Sequence, residues 1–177
     1  SSLGYKDVNL SYFMGVMKFK EEKYTEAIDY FTTAISIDSK HFFSYNDRAS
    51  AYRMMESYDN SIADYNKAIE LNGDMAMLYN NLGSVKRLNK DYEGALVEYD
   101  KAIKKDGNYH YAINNKGIVL YETGKYEEAI ECFNQVLKIN KDYAYAFNNM
   151  GLCYYKMKDY KSATDAFSKA IFIDPNY

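Results

Sequence analysis

A block of 34 residues recurs five times without insertion or deletion, over 8–41, 42–75, 76–109, 110–143 and 144–177. Spacing this even marks an array of one supersecondary unit, each copy burying its apolar face against the next, so the period constrains the fold before composition does. Numbering each block from one, the eighth column holds Gly15, Ala49, Gly83, Gly117 and Gly151. The twentieth holds Ala27, Ser61, Ala95, Ala129 and Ala163, and the twenty-seventh Ala34, Ala68, Ala102, Val136 and Ala170. Small residues at these intervals let two helices approach closely. Bulky residues fill the space between: Tyr24, Tyr58, Tyr92, Tyr126 and Tyr160 in the seventeenth column, and Phe31, Tyr65, Tyr99, Phe133 and Phe167 in the twenty-fourth.

This pattern resembles the tetratricopeptide repeat, a helix-turn-helix unit of 34 residues. The resemblance covers 170 of the 177 residues. It implies an all-α protein, a right-handed α-solenoid of five such units forming one array over 8–177, with Ser1–Asp7 as a lead-in. Two departures are visible. The fourth column (Ser11, Tyr45, Tyr79, Ile113, Phe147) lacks the family's Trp, and its repeat-end Pro survives only at Pro175. Tyr or Phe fills the Trp position, and Gly73 and Gly107 are expected to end their helices in the place of Pro.

Helices are expected over Val8 to Lys20 and from about Thr25 to Ile37 in the first block, where Ala27, Ile28, Phe31, Ala34 and Ile35 make one apolar face. In the third, a helix from Ala76 to about Asn89 turns through Lys90-Asp91 and resumes near Tyr92, with Asp91 placed to accept from free amides. The second block is the least regular, with Arg48 and Ser61 where other copies prefer apolar residues or Ala. At the far end, no polar-faced helix covers the last block. Thr164, Phe167, Ile171 and Ile173 are expected to lack a packing partner, with Phe172 where other copies carry Ser36, Glu70, Lys104 and Lys138. Such an end is either the cut edge of a longer protein or a surface for self-association.

Net charge is only -3, from 22 basic and 25 acidic residues, which argues against nucleic acid as partner. No apolar run is long enough to span or insert into a membrane. Cys132 and Cys153 occupy different columns on faces expected to be buried, which suits structural thiols in a reducing cytoplasm. His41 and His110 form no ligand set with them, so neither metal nor cofactor is expected. A phosphate-cradling loop and a nucleophile–His–acid arrangement are both lacking, so the sequence does not read as an enzyme. Glu21-Glu22 and Glu127-Glu128, at helix starts, suit the macrodipole.

In this family the first helix of each pair lines a concave groove, through the second, fifth, sixth, ninth, twelfth and thirteenth columns. The fifth reads Tyr12, Asn46, Asn80, Asn114 and Asn148, and the sixth Phe13, Asp47, Asn81, Asn115 and Asn149. An Asn amide offers donor and acceptor together, matching one peptide unit, and a ladder of them holds a backbone at about 1 kcal/mol per rung. The alternative is that these amides bond within and between repeats. At Asn81, Asn115 and Asn149 the ladder is similar to that in the repeat superhelix of O-linked N-acetylglucosamine transferases, where such residues grip substrate backbone. Tyr111 and Tyr145 from the second column, and Arg53, Arg87, Tyr121 and Tyr155 from the twelfth, flank it as candidate side-chain contacts. A carboxylate clamp of the co-chaperone kind is excluded, because its Lys and Arg columns hold no cation in any register.

The resulting expectation is a non-catalytic protein-interaction module, or scaffold, taking an extended peptide or partner helix in its groove. The alternatives are the substrate-recognition arm of a larger enzyme such as a glycosyltransferase, and a self-assembling scaffold.

Overall fold

The structure is a computed structural model describing residues 7–175, so Asn176 and Tyr177, and all of the lead-in except Asp7, lie outside the described residues. Those residues form ten α-helices and no strand, paired as five helix-turn-helix units. The helices are α1 Val8–Lys20, α2 Tyr24–Ile37, α3 Phe42–Met54, α4 Tyr58–Leu71, α5 Ala76–Leu88, α6 Tyr92–Lys105, α7 His110–Glu122, α8 Tyr126–Ile139, α9 Ala144–Lys156 and α10 Tyr160–Ile173. The chain divides after Asn89 into two compact units, the first holding α1 to α5 and the second α6 to α10. No helix is long and apolar enough to cross a membrane among the described residues.

The small and bulky columns interlock as their sizes demand. Phe31, Tyr65, Tyr99 and Phe133 are at most 1% exposed, and the small residues of the twentieth and twenty-seventh columns are buried with them. In α7, a Cβ added to Gly117 would lie 2.6 Å from the Phe133 ring, so the glycine is what lets α8 lie so close. In the first unit Ala49, Tyr65, Leu82 and Val85 form a core, and in the second Ile113, Leu120, Phe133, Val136, Met150 and Cys153 do. Burying an aromatic side chain of 150–250 Å² contributes at most about 4–6 kcal/mol, so these columns carry most of the stability.

Each pair turns through the same device, which the sequence only hinted at. The fifteenth column adopts a left-handed conformation in every repeat: Glu22 (φ 60°), Glu56 (58°), Lys90 (65°), Gly124 (81°) and Lys158 (65°). At Gly124, its amide donates to the Tyr121 carbonyl at 3.0 Å and the following Lys125 amide to Leu120 at 2.8 Å. The same two bonds recur around Glu22, Glu56 and Lys158. They satisfy the last carbonyls of the first helix. Asp91 then caps α6, its carboxylate accepting from the Gly94 amide at 2.9 Å, and Asp159 caps α10 through Ser162 at 3.1 Å.

Two expectations need correction. Gly73 and Gly107 do not end their helices: α4 stops into Asn72 and α6 into Asp106, which is extended, and Gly73 instead offers its carbonyl to the Tyr79 hydroxyl at 3.1 Å. The second repeat is irregular in sequence but not in satisfaction. Arg48 makes two hydrogen bonds to Asp64 at 2.7 and 2.8 Å and one to Thr32 at 2.9 Å, while Ser61 donates to the Ala49 carbonyl at 2.7 Å. Phe172 is 88% exposed, but so is its whole column, with Ser36, Glu70, Lys104 and Lys138 all exposed. Its exposure belongs to its position on the outer face. The uncovered packing face of α10 is instead Tyr160, Thr164 and Ile171, exposed where their counterparts are half-buried.

Candidate functional site

The two Asn columns divide their labour. Asn46, Asn80 and Asn114, in the fifth, are buried, whereas Asn81, Asn115 and Asn149, in the sixth, are half-buried. Within the first unit, Asn81 donates from Nδ2 to Asn46 Oδ1 at 3.2 Å; within the second, Asn149 donates to Asn114 Oδ1 at 3.3 Å. Tyr12 and Asp47 occupy the same two columns one repeat earlier, and the Tyr12 hydroxyl donates to Asp47 Oδ2 at 2.8 Å. One column pair thus ties a first helix to the first helix of the next repeat. Asn80 is turned inward toward Asn81 Oδ1, at 3.5 Å. Asn148 is half-buried and makes no side-chain hydrogen bond among the described residues. Asn81 and Asn149 keep hydrogen-bonding capacity beyond these ties, because an Asn side chain offers two donors and an acceptor.

Beside two of these ties, Tyr12–Asp47 and Asn149–Asn114, a cleft opens. In the first unit it has a volume of about 350 Å³ and is lined by Val16, Phe19, Lys20, Phe31, Asp47, Ser50 and Arg53. In the second it is about 160 Å³ and lined by Ile118, Tyr121, Glu122, Phe133, Asn149 and Leu152. Column by column these are the same place: Ile118 answers Val16, Tyr121 answers Phe19, Glu122 answers Lys20, Phe133 answers Phe31, Asn149 answers Asp47 and Leu152 answers Ser50. The buried aromatic of the second helix makes the floor, and first-helix side chains make the walls.

Charge separates the two. Asp47 in the first cleft has its carboxyl raised above the usual carboxylate range by burial, against the lowering effect of bonds from Tyr12 and Asn46. The Tyr12 hydroxyl is in turn made harder to ionise, by its own burial and by Asp47. Ser50 bonds the Tyr65 hydroxyl at 2.8 Å, and Arg53 stands near that hydroxyl.

The remaining predicted contacts are distributed unevenly. Arg53 lines the first cleft, and Tyr121 and Asn149 the second. Tyr121 also packs against Tyr126 with ring centres 5.8 Å apart, as Phe19 does against Tyr24 at 5.4 Å. Tyr111 and Tyr145, each half-exposed or more, edge the second unit through an aromatic chain in which both meet Tyr143. Tyr155 packs on Tyr160 at 5.7 Å outside the cleft lining, and Arg87 is half-buried on α5. Sequence reasoning passed over Phe19, Lys20, Ser50, Glu122 and Leu152. Their signal was present, since the ninth, twelfth and thirteenth columns were already groove columns. Among the described residues, no three His, Cys, Asp or Glu side chains gather as a metal-binding group. Burial pushes the Cys153 thiol up to about 12 and raises Cys132 in the same direction, leaving both as inert core thiols.

Family models described as tetratricopeptide repeat match residues 8–41, 46–110, 98–131 and 144–177, and one described as TPR repeat matches 117–158. The chain belongs to the tetratricopeptide-repeat family. No curated protein matches this tetratricopeptide chain by sequence. Its fold is shared with PilW, a type IV pilus biogenesis factor, at a TM-score of 0.85 and 21% identity over 96% of this chain and 79% of that one. MamA from Desulfovibrio magneticus matches at 0.83 and 16% identity over 98% of each chain. YrrB, described as a TPR protein with an unusual peptide-binding site, matches at 0.72 and 22% identity over 98% of this chain and 90% of that one. These likenesses place the protein in the α-solenoid class of tetratricopeptide folds.

Proposed function

We propose that this protein is a non-catalytic interaction module that holds an extended segment of a protein partner along the first-helix faces of its repeats. One observation carries the reading: a cleft opens at the same columns in both units, walled by first-helix side chains and floored by Phe31 or Phe133. An aromatic floor with polar groups at the rim suits a side chain of a bound peptide, and the second valence of Asn81 or Asn149 suits its backbone. The peptide-binding site named for YrrB supports the same use of this fold. Two buried free thiols fit a reducing, cytoplasmic setting.

The test is site-specific photocrosslinking in extract of the source cell. A benzophenone side chain replaces Arg53 or Tyr121 on the cleft side, and Lys104 or Lys138 on the outer face. Adducts to a partner from positions 53 and 121 but not 104 and 138 are expected. Adducts confined to the outer positions would overturn the reading.

A further inference from the structure

The first-unit cleft carries a charge imbalance that its own structure does not resolve. Lys20 and Arg53 both line it, and neither forms an ion pair among the described residues. Cations close by do: Lys18 meets Glu21 and Glu26 at 3.2 Å, Lys23 meets Glu21 at 2.9 Å, and Arg48 meets Asp64 at 2.7 Å. The cleft's own carboxylate is already engaged. Asp47 accepts from the Tyr12 hydroxyl through Oδ2 at 2.8 Å and from Asn46 Nδ2 through Oδ1 at 2.8 Å. Two cations against one occupied anion leave a formal charge of about +1 beside the apolar side chains of Val16, Phe19 and Phe31, where a partly desolvated charge pair is worth more than one in open water.

We infer that this cleft seats an acidic side chain adjacent to an aromatic or aliphatic one in the bound segment, the apolar group against Phe19 and Phe31 and the carboxylate between Lys20 and Arg53. The inference rests on the peptide-binding reading above and names the chemistry of its first subsite. It belongs to the first unit alone. The equivalent positions of the second unit are Glu122 and Tyr155, which carry no cation, so that cleft has no means of selecting an acid. A basic occupant is disfavoured in the first cleft for the converse reason, since Lys20 and Arg53 would oppose it.

Three end-blocked, fluorescein-labelled decapeptides, Gly/Ser throughout except for a central Phe-Glu, Phe-Gln or Phe-Lys pair, are titrated against the whole chain by fluorescence anisotropy. The Phe-Glu peptide is expected to bind about tenfold more tightly than Phe-Gln, with Phe-Lys weakest. In Lys20→Gln/Arg53→Gln the Glu advantage falls to about unity, whereas Arg53→Lys retains most of it. Should the double variant melt early, Lys20→Gln alone, at an exposed site, reports the same loss in part. Equal affinity for all three peptides overturns the acidic preference and leaves the groove reading standing. An advantage that survives the double variant overturns the assignment to Lys20 and Arg53. Binding of none of the peptides also overturns this subsite, while adducts from positions 53 and 121 judge the parent proposal separately.

Discussion

Asn149 reaches across from α9 to donate to Asn114 Oδ1 on α7 at 3.3 Å, repeating, 68 residues on, the bond that Asn81 makes to Asn46. The acceptors in both bonds are about 6% exposed, so no water replaces a donor that is removed. Asn149→Ala is therefore expected to cost about 1–3 kcal/mol, the range for stranding a buried acceptor. Asn148→Ala, removing an amide with no hydrogen bond among the described residues, is expected to stay within about 0.5 kcal/mol of wild type. Urea unfolding of both variants separates them. A silent Asn149→Ala would show that this amide serves only the bound partner.

The shared left-handed turn makes opposite predictions at two equivalent positions. Gly124 sits at φ 81° without strain, whereas Lys158 holds φ 65° with a side chain. Gly124→Ala is expected to destabilise by about 1 kcal/mol, and Lys158→Gly to be neutral or stabilising by up to about 1 kcal/mol, as relief of strain offsets added freedom in the unfolded chain. Thermal melts of the pair check this, and a stabilising Gly124→Ala would contradict the turn geometry.

Arg48 and Asp64 form a two-pronged ion pair with side-chain exposures of 16% and 9%. Asp64→Ala leaves a partly buried guanidinium without its carboxylate and is expected to cost about 2–4 kcal/mol. Arg48→Met/Asp64→Ala is expected to cost less than that single change, because Met14 and Met150 fill the same column as Arg48 in other repeats. A double-mutant cycle measures the difference, and additive losses would mean that the pair contributes no coupling.

Most helix ends were legible because five copies vote on each column: α1 and α6 start where the periodicity puts them, and small columns meet large ones as read. The turn was harder. Only Gly124 announces a left-handed residue; Lys90 shares the conformation, and Glu22, Glu56 and Lys158 adopt it because the Schellman bonds and the packed helices on either side impose it. The Asn ladder shows the limit of column reading most sharply. Neighbouring Asn residues on one helix look alike in sequence, yet the bond from Asn81 to Asn46 runs between repeats, and only the spatial overlap of consecutive first helices shows which of the two columns is consumed. The clefts were hidden for a related reason, since each takes its floor from a second helix and its walls from two successive first helices.

Asp47 provides a pH-dependent test of the same junction. Burial raises its folded-state pKa above the usual carboxylate value, so the fold prefers the protonated acid. Its contribution to stability is most favourable below the unfolded value of about 3.9 and is lost as pH rises through the raised folded value. At pH 7 Asp47 therefore holds a charge that the folded chain disfavours. Asn81, Asn115 and Asn149 occupy the same column without that charge. Asp47→Asn is expected to raise the melting temperature at pH 7, with the gain shrinking toward zero near pH 3.5, because the wild-type residue is then mostly protonated in both states. Comparing the two proteins at each pH cancels the titration of every other carboxylate. The same variant removes the one anion from the first cleft, so the Phe-Glu peptide should bind it more tightly than it binds wild type. A gain that persists unchanged at pH 3.5 would trace the stabilisation to hydrogen-bond geometry around Tyr12 and Asn46 instead of to the buried charge.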